Sequence, residues 1–276
     1  MFNSTKPLLI AEIGWNHMGN MKLAKKMILE AKKNGADFAK FQTWSVDNLK
    51  SGSWDKDGRR KIYEKAQLTP KKHKLLKQYC DNIKIKFLTS VFNEKDLTWL
   101  SKLSNYAIKI PSHEIYNIKL IKESLKKFKF VIISTGAAKW SEIKKIHKLV
   151  EKTKKQKNVC LLHCVSTYPC DYENANLPRI NSLKKLFKNV GYSGHCSGII
   201  DGIASIEYGT RIIEKHFTLN QKLPGRDNKF AILPHELREL SSFINSINLM
   251  KKDKGKNLQK FELDTYRNYR GRWKKN

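Results

Sequence analysis

The chain has 276 residues, 40% of them hydrophobic, and a formal net charge of +30 at pH 7 from 55 Lys+Arg against 25 Asp+Glu. That length can bury a full core and fits one large α/β domain or two small ones, and no run of about 18 or more apolar residues is present to cross a membrane. The charge is carried mostly by lysines spread along nearly every helical segment, with few arginines for base readout, so a dispersed basic surface is expected, with no nucleic-acid and no membrane partner; its field would still steer an anionic small substrate.

The N-terminal stretch MFNSTKPLLIAEIG lacks the basic-then-apolar order of a signal peptide, and a cytoplasmic protein is expected. The five cysteines are odd in number and form no C-x-x-C, so reduced, buried thiols are the default. In chain order, short apolar β-rich runs fall at 8–14, 38–44, 85–91, 107–112, 130–136, 159–165, 190–196 and 211–219. Amphipathic helical segments fall at 21–34, 70–83, 94–103, 118–128, 140–154, 180–188, 199–208 and 235–250. Near-continuous apolar strands alternating with helices indicate a parallel sheet covered by helices. Eight such units in about 250 residues predict a closed (β/α)8 TIM barrel in a single domain, residues 1–250. A doubly wound open sheet is the alternative, but no G-x-G-x-x-G follows the first strand. Residues 45–69 and 167–179 are long loops after the second and sixth strands, of the kind that is functional or disordered. Residues 251–276 form a basic tail, expected to be irregular and flexible, with Tyr266, Tyr269 and Trp273.

A barrel of this kind builds its site at the C-terminal ends of its strands. Those ends carry Glu12 and Asn16-His17; Lys40 and Gln42; Thr89-Ser90; Lys109, Ser112 and Glu114; Ser134; His163, Ser166 and Tyr168; Ser193 and His195; and Glu214, Lys215 and His216, followed by Asp227. Lys40 and Lys109 lie inside apolar strands, opposite in phase to Ala39 and Phe41 and to Ile108 and Ile110, and so face the barrel interior. Two inward lysines need an anion, and Ser90, Ser112, Ser134 and Ser193 add hydroxyls suited to a phosphate or a phosphorylated carboxylate. His195 and His216 each read alone as core histidines. On neighbouring parallel strands they converge on one mouth and suit a metal. His163 reads as structural, His17 as either a site residue or a helix cap, and His73, His113, His147 and His235 as surface residues.

The motifs AEIGWNHMG at 11–19, KFQTW at 40–44, KIPSHEI at 109–115, STGAA at 134–138, LLHCVSTYP at 161–169, GYSGHCSG at 191–198, EKHFTL at 214–219 and LPGRDNKF at 223–230 resemble the sialic acid synthase (N-acetylneuraminate synthase) family. The resemblance implies condensation of phosphoenolpyruvate with an N-acylated amino sugar, typically N-acetylmannosamine, to a nine-carbon 2-keto sugar acid with release of phosphate. It implies a divalent metal, typically Mn2+ with Mg2+ or Co2+ as alternatives, on His195 and His216. It makes Glu12, Lys40, Lys109 and the two histidines catalytic. Ser90, Ser112, Ser134 and Ser193 would hold phosphoenolpyruvate, and Gln42, Glu114, Ser166, Tyr168 and Asp227 complete the substrate-binding set. Where the family has S-D-H, this chain has Ser193-Gly194-His195, so a carboxylate behind the metal site is expected to be missing. The family's C-terminal antifreeze-like domain, which in its dimers lends an arginine to the partner's sugar site, is not found in this sequence. A homodimer is among the implied assemblies, and a diamino-sugar acceptor among the implied substrates. The other readings are a barrel that binds phosphorylated ligands without turnover and a polyanion-binding protein.

Overall fold

In the computed structural model, which describes residues 1, 2 and 4–273 with Trp54 described by its backbone alone, eight parallel strands close into a barrel in sequential order. They are β1 (Leu8–Gly14), β2 (Phe38–Thr43), β3 (Lys86–Val91), β4 (Ala107–Ile110), β5 (Phe130–Ser134), β6 (Val159–His163), β7 (Val190–Gly194) and β8 (Ile212–His216). The helices are α1 (Met21–Lys33), α2 (Arg59–Ala66), α3 (Pro70–Asn82), α4 (Leu97–Leu103), α5 (Ile118–Lys127), α6 (Trp140–Lys152), α7 (Arg179–Lys184), α8 (Ile200–Ser205) and α9 (Pro234–Met250). The expected barrel is therefore present, and an open sheet is excluded by the pairing of β1 with β8.

Alternation along each strand divides the core in two. Outward residues such as Leu9, Ala11, Ala39, Phe41, Ile213 and Phe217 pack beneath α1, α3 and α9. Ile108, Ile110, Val131, Ile133, Leu161 and Tyr192 do the same beneath α4 to α7. Inward residues change character with height. At the N-terminal end Leu8, Ile10, Phe38, Leu88, Phe130, Ile132, Cys160, Leu162 and Ile212 fill the barrel, and Phe2 lies edge-on against Phe130 with ring centroids 5.3 Å apart. One step further along the same phase come Glu12, Lys40, Ser90, Lys109, Ser134, Ser193 and Glu214, all buried. The barrel is thus dry and apolar at one end and ionic at the other, which leaves the polar layer accessible only from the C-terminal mouth.

Several strands end earlier than the sequence patterns suggest. Pro111 cannot donate to the ladder, and Ser112 falls in a 3-10 turn, Ser112–Glu114, rather than in β4. Cys196 and Thr218 likewise lie beyond β7 and β8. The long connection after β2 holds a helix, α2, that the pattern did not reveal; its eight residues, RRKIYEKA, are mostly charged and bury only Ala66. His73 is a correction: it is fully buried on α3, with Nε2 2.9 Å from Thr43 Oγ1 and Nδ1 3.1 Å from the Thr69 carbonyl. Both ring nitrogens are satisfied, so the side chain packs where the polarity of imidazole alone suggested the surface. The five cysteines are all buried and unpaired. The tail contains a 3-10 turn at Lys260–Glu262 and a short helical turn at Thr265–Tyr269, with Phe261, Tyr266, Tyr269 and Trp273 exposed. No described helix is long and apolar enough to cross a membrane.

Candidate active site

A cavity of about 530 Å³ opens at the C-terminal mouth of the barrel. Of the fourteen site residues expected from sequence, thirteen line it: Glu12, Lys40, Gln42, Ser90, Lys109, Ser112, Glu114, Ser134, Tyr168, Ser193, His195, His216 and Asp227. Ser166 does not. Its Oγ is buried beside Gly136, where an added Cβ would stand 2.2 Å from it, and beside the Tyr168 side chain.

The register explains the clustering. Glu12 pairs with Lys40 on one side and His216 on the other, Ser90 with Lys109, and Ser193 with Glu214. Lys40 Nζ lies 2.7 Å from Glu12 and 3.1 Å from Ser90 Oγ. Lys109 Nζ lies 2.8 Å from Glu214, which also accepts from Ser193 Oγ at 2.9 Å. Two carboxylates thus pair with the lysines inside the protein, beside the cavity that a ligand anion would enter. Glu214 was visible in the sequence but carried no assigned role there; its phase, two residues before His216, was the signal that places it inward. Burial works against the charged form of Lys40, but Glu12 and Glu214 outweigh it and hold its pKa above the ordinary lysine value. Lys109, buried with Glu214 as its near partner, is drawn below that value. Burial opposes ionisation of Glu214 too, yet Lys109 and Lys40 together keep it well below the usual carboxylate range. Glu12 is the odd member. Burial dominates, Lys40 only partly offsets it, and its pKa is raised to about 7.

Both histidines sit beside this layer, with ring centroids 5.7 Å apart. His195 Nδ1 lies 2.6 Å from the Val165 carbonyl; donating there leaves Nε2 as an acceptor. His216 is buried with no hydrogen-bond partner for Nδ1, although Asp227 Oδ2 is 3.6 Å away. Burial lowers His195 to about 4 and holds His216 well below the ordinary histidine value. Both rings are accordingly neutral at pH 7, the form that ligates metals. Of the remaining histidines, His163 is structural, its Nε2 2.8 Å from the Ala175 carbonyl. His17 is buried and outside the cavity lining; its Nδ1 accepts from the Gly19 amide at 3.0 Å, so it braces the turn into α1.

The outer wall was not anticipated. Trp15, Trp44, Arg59, Tyr63 and Arg226 line the mouth, and the three aromatic rings meet edge to face through Tyr63. Asp227, raised by burial to about 6, accepts from Trp15 Nε1 at 2.8 Å.

Gly194 has a clear physical role. Its missing side chain would point outward, not into the mouth, and a Cβ there would stand 2.2 Å from Asp201 Oδ2. Asp201, from α8, fills that space with a carboxylate on the outer face of the sheet, where it meets neither histidine's ring. It bonds Lys215 Nζ at 2.9 Å and accepts from the Tyr192 hydroxyl at 3.1 Å. Lys215 Nζ also reaches the Cys196 carbonyl at 2.7 Å. This cluster ties the residue before His216 to the residue after His195.

Fold and site together define a (β/α)8-barrel protein with an ionic, hydroxyl-ringed floor and two neutral imidazoles at its mouth. Residues 27–256 match the model of the NeuB family, and the chain belongs to that family. It is 38% identical over 256 residues to the N,N'-diacetyllegionaminic acid synthase of Campylobacter jejuni, covering 88% of this chain and 76% of that protein. It is 34% identical over 255 residues to the N-acetylneuraminate-9-phosphate synthase of Drosophila melanogaster, covering 87% and 68%. The crystal structure of an N-acetylneuraminic acid (sialic acid) synthetase from Leptospira borgpetersenii, in complex with citrate, superimposes with a TM-score of 0.85 at 32% identity, over 98% of this chain and 94% of that one.

Proposed function

We propose that this chain condenses phosphoenolpyruvate with the aldehyde of an N-acylated amino sugar, N-acetylmannosamine or a diamino-sugar relative, giving a nine-carbon 2-keto sugar acid and inorganic phosphate. The observation that carries this reading is one layer holding two buried lysines, three buried serines and Glu12 raised to about 7, beside two neutral histidines. The family membership and the names of the relatives support the same reading.

The residues fit a divalent metal, Mn2+ first and Mg2+ or Co2+ as alternatives. His195 has its Nδ1 committed to a carbonyl and His216 has a buried nitrogen without a partner. Among the described residues no group of three or more His, Cys, Asp or Glu is arranged to hold a metal, so the two imidazoles would be its protein ligands. Bound there, it would supply Lewis-acid polarisation of the acceptor's carbonyl oxygen.

Lys40 and Lys109 hold the carboxylate and phosphate of phosphoenolpyruvate, with Ser90, Ser112, Ser134 and Ser193 donating around them. The methylene carbon of phosphoenolpyruvate bonds to the aldehyde carbon as the aldehyde's π pair moves onto its oxygen, which takes a proton from water to become a hydroxyl, leaving a cationic centre at the adjacent carbon. Water adds there, and Glu12 takes its proton; a carboxylate with a pKa near 7 is matched to that transfer at neutral pH. The carbon–oxygen bond to phosphate then breaks, the keto group forms, and the lysines stabilise the charge that leaves. Orienting both reactants in one mouth contributes several kcal/mol more, up to about 7–11 kcal/mol for ideally placed groups. The test is phosphate release from the full chain with Mn2+, phosphoenolpyruvate and either N-acetylmannosamine or a 2,4-diacetamido-trideoxy sugar. Release that requires both substrates is expected; no release with any acceptor overturns the reading.

A further inference from the structure

We infer that the connection between β2 and α3 selects the acceptor, and that it selects an unphosphorylated one: Tyr63 of α2, with Trp15 and Trp44, forms an apolar wall for the acyl methyl and C–H face of a neutral amino sugar. The inference rests on the synthase reading above and narrows its acceptor.

Tyr63 is the keystone of the wall. Its ring centroid lies 5.6 Å from Trp15 and 5.7 Å from Trp44, both in edge-to-face geometry. The polar atoms of the wall are already engaged. Trp15 Nε1 donates to Asp227 at 2.8 Å and Trp44 Nε1 to Gln42 Oε1 at 3.2 Å, while Arg59 bonds the Tyr63 side chain. What these three residues offer a ligand is therefore ring surface, which suits C–H and methyl groups. Their polar ends meanwhile hold Asp227 and Gln42, two hydrogen-bonding groups of the same pocket.

Charge decides against a sugar phosphate. Arg59 is the cation of this wall, and it is paired with Asp57 at 2.6 Å and bonded to Ser53 Oγ at 3.1 Å. The other guanidinium at the mouth, Arg226, lies over the Tyr168 ring at 5.5 Å, next in the chain to Asp227. Glu114 adds a further carboxylate to the lining. A phosphate on the acceptor would compete with Asp57 for Arg59 and would face the carboxylates of Asp227 and Glu114. A neutral sugar meets none of these costs.

Saturation-transfer NMR on the full chain with phosphoenolpyruvate and no added metal reads acceptor binding without turnover. The probes are N-acetylmannosamine, its 6-phosphate and 2,4-diacetamido-2,4,6-trideoxymannose. At least one neutral sugar is expected to bind, with an acyl methyl the most strongly saturated group, and the 6-phosphate to bind at least about tenfold more weakly. Tyr63→Ala should weaken the neutral sugar about tenfold, the scale of a lost apolar pocket contact. It should leave the affinity for phosphoenolpyruvate and the melting temperature unchanged, and Tyr63→Phe should restore sugar binding. Equal or tighter binding of the 6-phosphate, binding of no neutral sugar, or an unaltered sugar affinity in Tyr63→Ala overturns the inference. Neutral-sugar binding that passes these tests without phosphate release in the turnover assay would overturn the synthase reading and leave the wall's selectivity standing.

Discussion

Glu214 and Lys215 are neighbours on β8 and belong to two different buried ion clusters. Glu214 faces inward with Lys109, Lys40, Glu12 and Ser193. Lys215 faces outward with Asp201, Tyr192 and the Cys196 carbonyl. The outer cluster is closed: Lys215 Nζ has three close oxygens, and the Asp201 carboxylate accepts from Lys215, Tyr192 and the Gly202 amide. The inner cluster is open on one side. Ser134 Oγ is buried there with no hydrogen-bond partner, and Glu12 has a pKa raised to about 7. A closed cluster fixes structure, whereas an open one keeps the capacity to bind a ligand and move a proton.

The strongest way to break the comparison lies on the inner side. His216→Ala is expected to remove metal-dependent turnover and, in Mn2+ titrations followed by electron paramagnetic resonance, specific metal binding. Unchanged activity would refute the ligand assignment. Glu12→Gln should lower kcat by about 10²–10⁴-fold, the range for a lost general base, with little change in melting temperature.

Charge deletions should separate the clusters by their readouts. Lys215→Met leaves Asp201 buried and unpaired, so denaturant unfolding should report a loss of about 3–5 kcal/mol. Lys215→Met with Asp201→Leu should recover most of it. The inner double variant, Lys109→Met with Glu214→Leu, should also stay folded, yet release no phosphate from the two substrates. If it turned over normally, the inner cluster would be as structural as the outer one.

The pH profile should carry the same signature. Glu12 must be deprotonated to act, so kcat/KM is expected to rise with pH to a plateau through about pH 7. A limb near the ordinary carboxylate value would place the base elsewhere. The stability linked to Glu12 has the opposite sign. A raised folded pKa contributes stability that is full below the unfolded value and is lost as pH rises through about 7. The smallest effect is expected from the tail. We propose that residues 1–250 are the folding unit, since the apolar clusters reach no further along the chain than Ile247. Truncation after Lys252 should change unfolding free energy by less than about 0.5 kcal/mol.

The sequence by itself determined the barrel and the inward phase of its polar residues. Eight apolar runs alternating with amphipathic segments admit few architectures, and within each strand a period of two sets Lys40 and Lys109 opposite in phase to their apolar neighbours. The tertiary structure alone decided what those residues meet. Nothing local pairs Lys109 with Glu214, 105 positions away, or sets Asp201 in the space that Gly194 leaves open. Nor could pattern find α2, whose helix buries only Ala66 and whose Tyr63 gains meaning from two tryptophans outside the helix, Trp44 earlier in the same connection and Trp15 on the loop after β1. Strand periodicity is written by burial against neighbours that every such barrel supplies. Charge pairing and the shape of the mouth depend on which loops fold over it, and that depends on distances sequence order does not carry.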